Sequence, residues 1–203
     1  MTTTKDLQDH YHKIKMARKK AQIEASIAKA THEKGLILVL TGHGKGKSTS
    51  AFGMVGRALG HGLKVGVCQF IKSRTDTGEE AYFGKDPHCD WRVLGDGFTW
   101  DTQNRQQDIA TSKKGWEVAQ QMLSNPSLDL ILLDELTYLI QYQYLDETQI
   151  LQTIQNRPPH QHVIITGRSA SANLIKIADT VSEIKEIKHA YKAGIKAQKG
   201  IDF

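Results

Sequence analysis

A glycine-rich segment with two lysines is the part of this chain best suited to chemistry. It reads Gly42-His43-Gly44-Lys45-Gly46-Lys47-Ser48 and is followed by Thr49. Successive glycines allow backbone N–H groups to point into one concavity, and a following helix adds its positive N-terminal end. Lys47 supplies a full charge, and the Ser48 hydroxyl can bind Mg²⁺. The segment therefore predicts a site for the phosphates of a nucleoside triphosphate.

The spacing of this loop departs from the common phosphate-loop pattern at one position. GxxxxGK[ST] requires glycine at position 41, where this chain has Thr41, and Gly42 stands one residue closer. The dinucleotide pattern GxGxxG does not fit either, because Lys47 follows Gly46. The alternative is a glycine-rich turn with incidental lysines. The position of the loop, between an apolar run and a helical pattern, favours phosphate binding.

Two acidic residues, Asp134 and Glu135, close the apolar run 128–133. A carboxylate at the carboxyl edge of a parallel sheet, beside a phosphate loop, can hold a metal ion or its waters. The alternative is a helix N-cap. Arg57 and Arg168 are weaker candidates for nucleotide contacts, and a surface position is the alternative for Arg168.

Two aromatic residues, Phe98 and Trp100, lie in a polar, glycine-rich stretch without the periodicity of a core face. They could line an apolar ligand site. They could equally hold the loop against the body, and composition alone favours this second interpretation. The scattered histidines and Cys68 are predicted to be structural.

Apolar runs alternate along the chain with helical patterns, which predicts an α/β fold with a mostly parallel sheet and helices on both faces. Residues 73–101 are expected to be irregular except for one short strand. The strands are predicted at 36–40, 64–71, 91–94, 128–133, 162–166 and 180–187, and the helices of the body at 48–59, 104–123, 146–156 and 171–178.

The N-terminal segment has a composition of its own. Residues 5–33 are predicted to form a thinly amphipathic helix, and residues 1–34 carry eight basic and four acidic side chains. They hold most of the chain's net charge of +5. We expect an arm at 1–34 and a phosphate-loop domain at 35–203. The arm is either a solvated surface helix or a cover for a site. A nearly neutral body argues against a nucleic-acid partner.

Several function classes are disfavoured by composition. No stretch approaches the roughly 18 apolar residues that a membrane helix needs. The N-terminus lacks the apolar region of a secretory signal. Two cysteines, Cys68 and Cys89, cannot build a disulfide framework. These features predict a cytoplasmic protein with no membrane partner.

Taken together, the motifs resemble one family, the ATP:corrinoid adenosyltransferases of the CobA/BtuR type. The resemblance covers essentially the whole chain, although His43 and Ser48 stand where Asn and Thr are commoner. It is carried by TGHGKGKSTSAFG (41–53), RALGHG (57–62), QFIK (69–72), GFTWDTQNR (97–105), LDELTY (133–138), VIITGR (163–168) and the tail KAGIKAQKGIDF.

This resemblance implies a RecA-like phosphate-loop fold and a specific reaction. The 5′-deoxyadenosyl group of ATP would pass to the cobalt of a reduced corrinoid, cob(I)alamin or cob(I)yrinic acid a,c-diamide, with release of triphosphate. Lys47 would stabilise the leaving group, and Ser48 with Glu135 would hold Mg²⁺ or Mn²⁺. Further nucleotide contacts are implied for Gly42, His43, Gly44, Lys45, Gly46, Thr49, Arg57 and Arg168.

The resemblance also changes the interpretation of the aromatic pair. Phe98 and Trp100 would lie beneath the corrin and exclude its lower axial ligand, which makes reduction of the cobalt easier. The basic arm would close over the corrinoid site within a homodimer, and a small flavoprotein would donate electrons. The rival hypotheses are a phosphoryl-transfer NTPase that uses Glu135 to position water, and a nucleic-acid-binding ATPase relative that uses the arm.

Overall fold

The computed structural model describes residues 4–71, 76–95 and 104–202, and it divides into two compact units. The first ends at Glu33 and the second begins at Lys34. The first unit is a single long helix, α1 (Thr4–Lys29). The second contains the other elements, and the elements of its first half are β1 (Ile37–Thr41), α2 (Lys47–Gly60), β2 (Val65–Gln69), α3 (Gly78–Phe83), β3 (Cys89–Val93) and α4 (Arg105–Leu123).

The second half of the body continues the alternation of strands and helices. Its elements are β4 (Leu130–Asp134), α5 (Leu136–Gln141), α6 (Glu147–Gln155), β5 (His162–Thr166), α7 (Ala172–Ile177), β6 (Thr180–Glu183) and a short 3₁₀ helix (Ala190–Ala193). The strands form one sheet in the order β3-β2-β4-β5-β1-β6. All five pairings are parallel. The predicted α/β class with a mostly parallel sheet is therefore confirmed.

Apolar side chains cover both faces of this sheet. On one face Ala51, Phe52 and Val55 of α2 pack against Leu132 and Ile164. On the other face the adjacent strand residues meet α4, α6 and α7, since successive side chains of a strand point to opposite faces. The second cluster includes Trp116, Met122, Ile131, Leu133, Ile150, Ile165 and Leu174. Helices thus lie on both faces, as the apolar runs predicted.

Three details differ from the sequence prediction. Residues 73–101 were expected to be irregular outside one strand, but α3 lies within them, capped by the Thr77 side chain, which accepts from the Glu80 amide. The helix α5 was not predicted, because it follows the acidic pair at the end of β4 without a break. The strand expected at 180–187 ends at Glu183, and all four residues of β6 are exposed at the sheet edge.

Candidate functional site

The glycine-rich loop joins the carboxyl end of β1 to the first turn of α2. Gly42 and Gly46 have φ angles of 98° and 120°, in the region that favours glycine. A Cβ on Gly42 would lie 2.5 Å from the carbonyl oxygen of Ile184, whereas one on Gly46 would meet nothing within 4 Å. The loop is therefore packed against the body at Gly42 and opens to a cavity at Gly46.

The segment that follows β6 makes backbone hydrogen bonds to this loop and to the strand end before it. The Gly44 amide donates to the Ile184 carbonyl at 2.7 Å, and the Ile184 amide donates to the Thr41 carbonyl at 2.8 Å. The Ile184 amide thus makes the last bond to β1, at Thr41, and the Ile184 carbonyl pairs with the loop, since β1 itself ends at Thr41. The loop's shape thus depends on residues about 140 positions away in sequence.

Lys47 is the charged group at the centre of the loop. Its side chain is buried, with 7% exposure, and its ammonium donates to the Gly44 carbonyl at 2.8 Å. Burial lowers its pKa, with Arg168 acting in the same direction and the carboxylates of Glu135 and Asp134 opposing. These four side chains therefore share one electrostatic environment. A desolvated ammonium in this position is suited to an anionic ligand.

The Asp134 carboxylate ties three strand ends and the loop together. It is fully buried, and its Oδ1 accepts from the Ser48 hydroxyl and from the Thr166 hydroxyl, each at 2.7 Å. Its Oδ2 accepts from the Gln69 side-chain amide at 3.3 Å. Because the strands are parallel, the carboxyl ends of β2, β4 and β5 meet at one edge, which brings these residues together.

Glu135 adopts an unusual backbone conformation at the start of α5. Its φ of 64° is left-handed, a strained conformation for a residue other than glycine. The Glu135 amide donates to the Thr166 hydroxyl at 2.9 Å. Glu135 stands at the N-cap position of α5, but its side chain makes no capping hydrogen bond. The N-cap alternative therefore does not describe the role of this carboxylate, which lines the cavity instead.

A cavity of about 320 Å³ opens above these groups. Of the predicted site residues, it brings together His43, Gly44, Lys45, Gly46, Lys47, Ser48, Thr49, Glu135 and Arg168. Arg57 is exposed near the end of α2, outside this group, ten residues along the helix from Lys47. At about 1.5 Å per residue the two lie roughly 15 Å apart along the helix axis. Phe98 and Trp100 lie outside the described residues.

Several residues that line or support the cavity were missed by sequence reasoning. Asp134 was recognised as half of an acidic pair, but Glu135 alone was assigned to the metal. The strand-end position of Gln69 was the signal that could have identified it. The tail KAGIKAQKGIDF was recognised as part of the family resemblance, but none of its residues was assigned to the site. The additional lining residues are Phe52, Gln69, Thr77, Glu79, His189, Ile201 and Asp202.

The C-terminal tail closes one side of the cavity through an ion pair with the loop. Lys45 Nζ lies 2.7 Å from Asp202 Oδ1. This contact lowers the pKa of the Asp202 carboxyl, because the ammonium of Lys45 donates to it. Both side chains keep substantial contact with water, so the pair is open to competition by another anion. A phosphate group entering the loop would meet Lys45 already paired with a carboxylate.

The oxygen groups at the cavity floor fit a magnesium–nucleotide complex. The Ser48 hydroxyl uses its proton on Asp134, which leaves its lone pairs available to a cation. Within the described part of the chain, no cluster of three or more His, Cys, Asp or Glu side chains is placed to hold a metal by itself. That is the usual situation for Mg²⁺, which is bound through one or two protein oxygens together with substrate phosphates.

Over the described residues, no helix has the length and apolar character required to cross a membrane.

Comparison with known proteins gives one consistent family. A family model described as ATP:corrinoid adenosyltransferase BtuR/CobO/CobP matches residues 33–203. The corrinoid adenosyltransferase of Pseudomonas aeruginosa is 53% identical over 196 residues, which cover 96% of this chain and 97% of that protein. The corrinoid adenosyltransferase of Escherichia coli K12 is 47% identical over 97% of this chain and 100% of its own length. Corrinoid adenosyltransferase CobA of Salmonella typhimurium is 44% identical with the same coverage.

Proposed function

Because the chain belongs to the ATP:corrinoid adenosyltransferase family, we propose that it transfers the 5′-deoxyadenosyl group of ATP to the cobalt of a reduced corrinoid. The cobalt(I) electron pair forms a bond to the ribose C5′, and the C5′–O5′ bond breaks. The electrons of that bond leave with the triphosphate, which departs intact. The observation that carries this proposal is the buried Lys47 ammonium beside the Ser48–Asp134 pair at the floor of the cavity.

The loop in this reaction holds a leaving group. Negative charge develops on the oxygen that separates from C5′ and spreads over the triphosphate. Lys47 and the backbone N–H groups of residues 42–48, apart from that of Gly44, which donates to Ile184, can stabilise that charge. Mg²⁺, when bound, supplies further neutralisation of the phosphates. We assign Ser48 and Glu135 to the metal, and Asp134 to the orientation of the Ser48 hydroxyl.

The remaining contacts of the nucleotide are proposed from the positions of residues that line the cavity. Lys45 exchanges Asp202 for a phosphate oxygen, and Arg168 faces the same cavity from the end of β5. His43, the glycines and Thr49 surround the phosphates. Arg57 stays a prediction that rests on the sequence resemblance alone.

The corrinoid side of the site is proposed from sequence. Phe98 and Trp100 form an apolar wall beneath the corrin and exclude a lower axial ligand, so that cobalt(II) is more easily reduced. The helix α1, with the rest of the arm at 1–34, closes over this site in a homodimer, and residues 35–203 form the catalytic domain. We further propose a cytoplasmic location and a small flavoprotein as the electron donor.

One experiment tests this function directly. The protein is incubated with ATP, Mg²⁺ and chemically reduced cobalamin. The expected products are adenosylcobalamin, followed by its absorption spectrum, and intact triphosphate, separated by ion chromatography. Orthophosphate or diphosphate without a cobalt–carbon bond would instead identify a phosphoryl-transfer NTPase. Salt-sensitive binding to nucleic acid without adenosyl transfer would support the third hypothesis.

A further inference from the structure

Two buried glutamines leave a side-chain carbonyl oxygen without a hydrogen-bond partner among the residues described. They are Gln69, whose exposure is 1%, and Gln161, whose exposure is 0%. Gln161 lies away from the cavity, and its amide nitrogen donates to the backbone carbonyls of Met122, Asn125 and Leu128. These three hydrogen bonds hold the chain between α4 and β4, so Gln161 has a structural role. Gln69 has no comparable set of backbone partners, and it lines the phosphate cavity.

The orientation of the Gln69 amide follows from its neighbour. The register of β2 and β4 places Gln69 directly opposite Asp134. An ionised carboxylate only accepts hydrogen bonds, so the NH₂ group of Gln69 must face it, as the 3.3 Å contact from Nε2 to Oδ2 shows. The carbonyl oxygen Oε1 is therefore turned away from Asp134. A buried acceptor left without a donor is costly, and of the two glutamines Gln69 is the one that borders a cavity whose ligand can supply the donor.

The neighbouring groups indicate which donor this is. Gln69 contacts Asp134, and Asp134 holds the Ser48 hydroxyl that we assign to the metal. Mg²⁺ bound to a nucleotide keeps several of its water molecules, and each of these needs an acceptor. An amide oxygen next to the Ser48–Asp134 pair is well suited to accept from such a water.

We propose that Gln69 is a positioning residue for the magnesium–nucleotide substrate. Its Oε1 accepts a hydrogen bond from a water ligand of Mg²⁺, while its Nε2 holds Asp134 in the orientation that directs Ser48. This inference rests on the proposed function only in taking magnesium and ATP as the ligand. It assigns to Gln69 the selectivity of the site for the metal-bound form of the nucleotide.

The test compares Gln69→Met with the unaltered protein by equilibrium binding of ATP, once with Mg²⁺ and once with EDTA. Met has nearly the same length but no hydrogen-bonding group. We expect roughly a tenfold loss of affinity for magnesium–ATP, as for one or two lost hydrogen bonds, and less than about a twofold change without metal.

The matched control is Gln161→Met, which removes the other buried glutamine. It is expected to lower the melting temperature and to leave the ratio of the two ATP affinities unchanged. Equal losses with Mg²⁺ and with EDTA in Gln69→Met would overturn the proposal in favour of a structural role. So would the same selective loss in the control. A penalty that disappears with 2′-deoxy-ATP or 3′-deoxy-ATP would show that a ribose hydroxyl is the donor, and would also overturn it.

The proposed adenosyl transfer and the proposed role of Gln69 can be refuted independently of each other. Binding measurements on the unaltered protein and on Gln69→Met judge the role of Gln69 without any corrinoid present. If the unaltered protein binds magnesium–ATP but forms no adenosylcobalamin, the proposed function is refuted while the role of Gln69 is still decided by the affinity ratio.

Discussion

Replacement of Lys47 by Met separates the stability of the loop from its function. Lys47 is buried, and its ammonium donates a hydrogen bond to the Gly44 carbonyl at 2.8 Å. Loss of such a bond costs about 1 kcal/mol. Burial lowers the pKa of Lys47, which means that holding the charged form in this site is itself unfavourable. Since Met removes both effects, we expect the free energy of unfolding to change by less than about 1 kcal/mol.

The effect on ATP should be much larger. A hydrogen bond from a charged group contributes about 1.5–3 kcal/mol, which corresponds to roughly a 10- to 150-fold weaker binding of ATP. Charge that appears on the triphosphate only in the transition state adds a further loss, and removal of one such donor lowers kcat by about 10²–10³-fold. Adenosylcobalamin formation at saturating ATP should therefore fall far more than the melting temperature.

Lys45→Met is the matched control, because it removes a second lysine from the same loop. Lys45 is exposed and already paired with Asp202, so its loss should weaken ATP binding by only a few fold. Calorimetric titration with magnesium–ATP and spectroscopic single-turnover assays measure both variants. The reasoning is refuted if Lys47→Met binds ATP within about threefold of the unaltered protein, or if the two lysine variants behave alike.

Three further outcomes are expected. Replacing Phe98 and Trp100 by Ala should slow adenosylation from cob(II)alamin more than from pre-reduced cob(I)alamin, and equal losses would mean that the aromatics only support the loop. Burial raises the pKa of the Cys68 thiol from 9.0 to about 12. The folded state keeps the proton that the unfolded chain loses, so stability falls as pH rises from 9 towards 12, by at most about 1.4 kcal/mol per pH unit. Urea titrations should show this slope weakened in Cys68→Ala, and an unchanged slope would contradict the assignment. Gly167→Ala should destabilise by about 2–4 kcal/mol, because φ is 140° and the new Cβ would collide with Thr137 Oγ1. Gly53→Ala, in α2 with open space around it, should be neutral or stabilising, and similar melting temperatures for the two variants would refute the argument.

The parts of the fold that were predicted correctly are those with a strong local pattern. The strand at His162–Thr166 was recognised from its apolar run. The helix predicted at 104–123 is present as α4, and the structure shows Asn104 as its N-cap, with a side chain that accepts from the Gln107 amide. The helix α3 was missed because it lies within a stretch expected to be irregular, and α5 because it follows the end of β4 without a break. Each has only six residues, as does α7, which was predicted at 171–178.

The same distinction applies to the candidate site. The glycine-rich loop was identified from sequence because its function depends on consecutive backbone groups, and consecutive residues are what a sequence displays. Lys47 and Ser48 were expected on this basis, whereas Glu135 was expected near them because it follows an apolar run predicted as a parallel strand. The cavity brings them together with Arg168.

Other relationships depend on tertiary structure. Asp134 meets Gln69 because β2 and β4 are neighbours in a fixed register, although the two residues are 65 positions apart. The tail reaches the loop through the Lys45–Asp202 pair, a contact between residues 157 positions apart that the tail's own motif does not specify. The sequence by itself determined the phosphate loop and the family, since both lie in contiguous motifs. Tertiary structure decided which buried polar groups surround that loop, because strand order and register set those distances.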